Sequence, residues 1–221
     1  WLRSPAEVAA EALELIAEGD FKALKFRMGR ERLSDDLATA QALRDTLDDN
    51  IELMVDFNQG MDMAEALSRC HAIDDLDLVW IEEPIIYNDF GGYAKLASEL
   101  KTPLQIGENF YGVQDMYKAL DAKACDLVMP DFMRIGGVTG WLQAAGLAAA
   151  ANIPMSTHLY PEVAAHVMRV TRTAHLLEWQ DWAEAVLAEP YQVVKGKLEI
   201  PDRPGLGLDW DEEAVARYQI E

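Results

Sequence analysis

Asp56, Glu82 and Glu108 recur at a near-constant interval, and each ends a short apolar run. Three carboxylates converging on one point would repel one another and raise one another's pKa unless a cation lay among them. Hard oxygen donors that leave positions free for water and substrate suit Mg²⁺, with Mn²⁺ as the substitute. Taken singly, each acid could cap a helix or pair with a lysine; taken together they read as one ligand set. Lys25 and Arg27 stand two apart in another apolar run, so on a strand both side chains face the same way. Directed into a site, they could hold a carboxylate or move a proton.

His158 ends the run Ile153–Thr157, and Asp131 follows the run before it. A carboxylate beside an imidazole fixes its tautomer and raises its basicity, which makes a general base near neutral pH. His71, His166 and His175 lie in or beside helical stretches or ahead of a strand, and are read as structural. Glu178 ends the last apolar run and could donate a proton to a carboxylate oxygen as charge builds there. Asn58 and Asn109 are further polar strand ends, and Asn58 is a candidate substrate contact.

These residues need a scaffold that brings successive strand ends to one place. The spacing predicts strands at Ala23–Arg27, Ile51–Asp56, Leu78–Ile81, Pro103–Gly107, Asp126–Met129, Ile153–Thr157 and Ala174–Leu177, all short and apolar as buried parallel strands are. Helical patterns lie between them. The plainest are a helix opened by the capping box Ser4-Pro5-Ala6-Glu7, one capped by Ser34, and the stretches Gly140–Ala151 and Glu162–Val170. A strand-to-strand period of roughly 20–29 residues fits a parallel (β/α) TIM-like barrel, whose working residues sit at the C-terminal strand ends. An open doubly wound sheet would show a Gly-rich phosphate turn after its first strand, and this sequence has none. Only seven strands are found, so the expected eighth is the first, upstream of Trp1. The barrel is assigned to residues 1–190, and residues 191–221 to a C-terminal hairpin and helix.

The 221 residues carry a formal net charge of −20, from 19 Lys and Arg against 39 Asp and Glu. That excludes nucleic acid and anionic membrane as expected partners, since both need positive surface. No apolar run approaches the roughly 20 residues that span a bilayer. Cys70 and Cys125 form no metal or redox motif, and no secretory signal opens the sequence, so a reducing cytoplasm is the expected compartment.

In order, Leu24-Lys25-Phe26-Arg27, Met54-Val55-Asp56-Phe57-Asn58-Gln59, Trp80-Ile81-Glu82-Glu83-Pro84, Ile106-Gly107-Glu108-Asn109, Met129-Pro130-Asp131, Arg134-Ile135-Gly136-Gly137-Val138-Thr139-Gly140-Trp141, Ile153–His158 and His175-Leu176-Leu177-Glu178 resemble the mandelate racemase subgroup of the enolase superfamily, the mandelate racemase/muconate lactonizing enzyme family. The resemblance implies Mg²⁺ held by Asp56, Glu82 and Glu108 and a base that removes the proton alpha to a substrate carboxylate, giving an enediolate. It makes His158 with Asp131 the base, Lys25 the neutraliser of the substrate carboxylate and Glu178 the electrophile opposite; Glu83 supports the ligands from behind. It also implies a small-molecule carboxylate substrate and a homo-oligomer.

Two departures shape the expectation. Racemases of this type carry Lys-x-Lys, and the second position here is Arg27. Guanidinium stays protonated at ordinary pH, which makes Arg27 a poor base and a good carboxylate or hydroxyl clamp. One-sided chemistry follows, with a sugar-acid dehydratase ahead of a racemase, epimerase or cycloisomerase, and a non-catalytic barrel remnant as the remote reading. The second departure is that family members add an N-terminal α+β capping domain and a first barrel strand, neither of which is in this sequence.

Overall fold

The computed structural model describes residues 2–219. Trp1, upstream of which the first strand was expected, and residues 220 and 221, at the end of the expected C-terminal segment, lie outside the described residues.

Helix α1 (Pro5–Gly19) forms because its first turn is closed from both sides: Ser4 Oγ accepts from the Glu7 amide, and the Glu7 carboxylate accepts from the Ser4 amide at 2.9 Å. Asp20, in the left-handed region at φ 54°, ends it. Strand β1 (Ala23–Arg27) follows, then α2 (Leu33–Thr46). The expected Ser34 cap is not what starts α2. Arg32 occupies the cap position and Ser34 lies inside the helix. The start is fixed instead by Asp36, fully buried, which accepts from the Gly29 and Arg30 amides and pairs with the Arg30 and Arg69 guanidinium groups.

The alternation continues through β2 (Glu52–Asp56), α3 (Met63–Ile73), β3 (Leu78–Glu82), α4 (Phe90–Glu99), β4 (Leu104–Ile106), α5 (Val113–Asp121), β5 (Leu127–Val128), α6 (Gly137–Ala151) and α7 (Pro161–Met168). Strands β1 to β5 form one sheet in sequence order, every neighbouring pair parallel. This is a TIM-barrel-like α/β arrangement.

The last two expected strands are a correction. Ile153–Thr157 and Ala174–Leu177 continue the parallel arc only as single bridges, Val128 to Met155, Asp131 to His158 and Met155 to Ala174. The cause is in the residues. Pro154 has no N–H to give, and side-chain hydroxyls replace ladder carbonyls: Thr157 Oγ1 accepts from the Glu178 amide at 2.9 Å and Ser156 Oγ from the Leu176 amide at 3.4 Å.

Strand alternation sorts the side chains. Leu53 and Val55 join the large core between sheet and helices, whereas Met54, Trp80 and Leu127 form a small layer on the concave side with Ala23 and Leu176. Between the outer edge of β1 and the Ala174–Leu177 segment lies a cavity of about 330 Å³, lined by Ala23, Lys25, Met54, Trp80, Leu176 and Glu178 among others. Beyond residue 190, β6 (Gln192–Val194) and β7 (Lys197–Glu199) make an antiparallel hairpin, and α8 (Glu212–Arg217) follows its cap Asp211. Lys195 and Gly196 turn the hairpin with φ 53° and 71°, and the Gly196 amide bonds back to the Gly19 carbonyl at 2.7 Å.

Candidate active site

Register places the chemistry. Arg27, Asp56 and Glu82 are in-line partners across β1, β2 and β3, so their side chains rise on the concave face at one level. Gly107, at φ 140°, turns the chain after β4 and delivers Glu108 to the same point; a Cβ there would lie 2.9 Å from the Met129 amide nitrogen. Oxygens of Asp56, Glu82 and Glu108 come within 4.8 Å of one another, and all three residues are buried. A compact set of hard oxygen donors is the donor chemistry that Mg²⁺ takes.

Cations and donors hold each ligand. Lys25 Nζ lies 2.7 Å from Glu82 Oε1 and 3.2 Å from Glu178 Oε1, and Arg27 lies 3.3 Å from Asp56. The Trp80 indole donates to Glu82 Oε2 at 2.9 Å, and the Asn58 amide donates to Asp56 Oδ1 at 2.7 Å. Asn58 itself is exposed at the edge of the cluster.

His158 and Asp131 face each other with Nδ1 to Oδ2 at 2.8 Å. Asp131 Oδ1 accepts from the Met133 and Arg134 amides. An ionised carboxylate only accepts, so Nδ1 carries the proton of the neutral ring and Nε2 is the free base. Nε2 lies 3.6 Å from Glu108 Oε2, which puts the base against the carboxylate triad. Glu178 Oε2 is fixed by the Leu159 amide at 2.8 Å.

The electrostatics follow from the crowding. Burial alone would lower the Lys25 pKa, but Glu82, Glu178 and Asp56 outweigh it and hold the ammonium above the ordinary lysine range. Burial raises Glu82, which Lys25 only partly offsets. Glu83 is pushed up to about 8 by burial and then by Glu108, Glu82 and Asp56. Burial opposes protonation of His158, yet the Asp131 hydrogen bond, with Glu178 and Glu108, raises it above the usual histidine value. Asp131 is lowered: burial works against ionisation, and the His158 and backbone hydrogen bonds overcome it. Five of the ten non-glycine residues with positive φ among the described residues lie within three residues after a site side chain: Asn58 and Gln59 after Asp56, Glu83 after Glu82, and Leu159 and Tyr160 after His158. Such conformations cost about 1–3 kcal/mol each and persist where surrounding structure enforces them.

The nine candidate catalytic, substrate and metal residues read from the sequence, Lys25, Arg27, Asp56, Asn58, Glu82, Glu108, Asp131, His158 and Glu178, therefore lie together at one end of the sheet. Trp80 and Arg134 were missed as contributors. Trp80 was findable, since it lies two residues before Glu82 on the same strand face. Arg134 carries no local signal, because its partners are on another loop.

A parallel α/β barrel scaffold with a carboxylate triad beside a His–Asp pair defines the class of domain. The chain belongs to the family described as enolase C-terminal domain-like, which matches residues 7–214, and so to the enolase superfamily. It is similar to the crystal structure of an enolase from alpha proteobacterium bal199 with bound Mg: TM-score 0.96, 65% identity, covering 98% of this chain and 61% of that one. It is 33% identical to a 3,6-anhydro-alpha-L-galactonate cycloisomerase of Streptomyces coelicolor, over 97% of this chain and 60% of the relative. It is 29% identical to an L-talarate/galactarate dehydratase of Salmonella typhimurium, over 100% of this chain and 55% of the relative. The chain thus spans somewhat over half the length of these relatives.

Proposed function

We propose that the protein carrying this chain removes the proton alpha to a carboxylate in a small acid, with Mg²⁺ at Asp56, Glu82 and Glu108, and that its reaction is dehydration of a sugar acid, an aldonate or aldarate, to a 2-keto-3-deoxy acid. The observation that carries the first part is the position of His158 Nε2, oriented by Asp131 and set 3.6 Å from a triad oxygen. Bound at the triad, Mg²⁺ supplies Lewis-acid stabilisation of the charge that grows on the substrate carboxylate. Mn²⁺ offers the same coordination chemistry. The similar structure with bound Mg supports this choice.

The protein's own groups do the rest. Lys25 offers a permanent positive charge beside Glu82 for the substrate carboxylate. His158 Nε2 takes the alpha proton, and the imidazolium returns it to the beta hydroxyl, which leaves as water. The resulting enol then loses its hydroxyl proton and gains a solvent proton at C3, which gives the 2-keto-3-deoxy acid. Glu178, held by the Leu159 amide and close to Lys25, would donate a hydrogen bond toward the carboxylate oxygen once it carries a proton. Arg27 and Asn58 border the substrate and clamp its oxygens.

The dehydratase reading rests on Arg27, since a guanidinium supplies no second base, and the galactarate dehydratase relative supports it. Identity with a cycloisomerase favours an isomerase as the second reading. Incubation with Mg²⁺ and a panel of aldonates and aldarates, followed by NMR, separates the two. A 2-keto-3-deoxy product is expected; an unbroken hydroxylated skeleton with a changed configuration or ring gives the isomerase reading. The mouth is rimmed by exposed Ile86, Tyr111, Met133, Tyr160 and Trp182, one from each successive loop, a surface that suits a covering segment such as the capping domain the resemblance implies.

A further inference from the structure

Glu108 differs from the other two triad acids in how it is held. Asp56 and Glu82 face Arg27 and Lys25, whereas Glu108 Oε1 accepts from Asn109 Nδ2 at 3.2 Å. The same Nδ2 donates to Glu83 at 3.0 and 3.3 Å, so one amide bridges two acids that would otherwise repel. An amide can turn over, and turned over it would present its oxygen to both carboxylates. Arg134 prevents this. Its Nη1 donates to Asn109 Oδ1 at 2.8 Å and to the Glu108 carbonyl at 2.8 Å. Guanidinium has donors and no acceptor, so the atom facing it must be the amide oxygen, and Nδ2 must face the acids.

The backbone of Arg134 ties the same loop to the base. Its amide donates to Asp131 Oδ1 at 2.9 Å, and its carbonyl accepts from the Gly112 amide at 3.0 Å. The Tyr111 ring lies 5.9 Å from the guanidinium carbon and covers it. Arg134 thus touches both the loop that bears Glu108 and the loop that bears Asp131.

We infer that Arg134 is a positioning residue: acting through Asn109, it fixes the Glu108 carboxylate for the metal. The inference rests on the proposed metal site. Partners one step behind a ligand typically change metal affinity by about 10–100-fold when removed. Mn²⁺ binding, followed by electron paramagnetic resonance on the protein carrying this chain, reads the effect without substrate. Arg134→Met is expected to weaken Mn²⁺ at least tenfold while the metal-free Tm moves little. Arg134→Lys keeps one donor and is expected to recover part of the loss, which a merely space-filling role would not predict. If Arg134→Met does not fold, Asn109→Leu carries the same tenfold expectation with Arg134 in place. Mn²⁺ affinity unchanged in a folded Arg134→Met or Asn109→Leu protein overturns the inference alone. Absence of Mn²⁺ binding in the unaltered protein overturns the metal reading and this inference with it.

Discussion

Asp131 Oδ2 accepts a hydrogen bond from the Nδ1–H of His158, which leaves Nε2 as the reactive nitrogen. A base works only when neutral, so turnover in the proposed reaction is expected to rise with pH as His158 loses its proton. Because Asp131 raises the histidine pKa, that rise falls above the ordinary value of about 6.5. Asp131→Asn removes the leading raising contribution: the acid limb of kcat/KM is expected to move to lower pH while the rate falls by about 10²–10⁴. An unmoved limb would show that His158 is not the titrating base. Arg27 sets a second test. Arg27→Lys puts an ammonium that can lose its proton where a guanidinium cannot. It is expected to add hydrogen exchange at C2 from the opposite face, read by NMR on both C2 epimers; two-sided exchange already present in the unaltered protein would contradict the one-base account. At this scale the sequence was largely readable, because polar residues ending apolar runs mark Lys25, Asp56, Glu82, Glu108, Asp131, His158 and Glu178 without help from the fold. Arg134 and Asn109 were not readable as a unit. Their contact depends on how two loops lean together, and no spacing along the chain encodes that.

Elements hold these residues through a few close contacts. Gly140, in the first turns of α6, has no room for a side chain: a Cβ would fall 1.9 Å from the Ile135 carbonyl oxygen. The Ile135 amide bonds the Asp131 carbonyl at 2.9 Å, so any shift there reaches the His158 partner. Gly140→Ala is expected to cost about 1–3 kcal/mol in denaturant unfolding and to lower activity in the protein that still folds. The start of α2 gives another test. Fully buried Asp36 balances Arg30 and Arg69, and Asp36→Ala leaves two guanidinium groups short of their acceptor. A loss of about 3–5 kcal/mol is expected, measured by urea titration. Apolar runs and caps located most helices and the five regular strands from sequence. The Ser34 cap misled because the cue for an N-cap is a residue type, whereas Arg32 and buried Asp36 start the helix through contacts with β1's following loop and with α3. The last two strands were over-read because Pro154 and the hydroxyls of Ser156 and Thr157 replace regular ladder bonds.

The molecule as a whole is strongly acidic, with a formal net charge of −20, yet its proposed substrate is an anion. Lys25, Arg27 and a divalent ion bound at the triad would put positive charge next to the substrate, and at distances of a few ångströms inside a partly buried site such charges outweigh remote surface charge that solvent screens. Among the described residues no helix is long and apolar enough to cross a membrane. The parallel order of the sheet and the side chains at its C-terminal ends were legible from the repeat of apolar runs. The choice of substrate was not, since the residue types at the strand ends specify a carboxylate-and-metal chemistry and no particular acid. The central proposed event is metal-dependent removal of the proton at C2 by His158. Deuterium uptake should be followed by NMR in D₂O with an aldarate or aldonate substrate, with and without Mg²⁺, in the unaltered protein, Asp56→Asn and His158→Asn. The account predicts solvent deuterium in a 2-keto-3-deoxy product only when Mg²⁺ is present, with both variants inactive. Product formed equally without Mg²⁺, or by the His158→Asn protein, would contradict it.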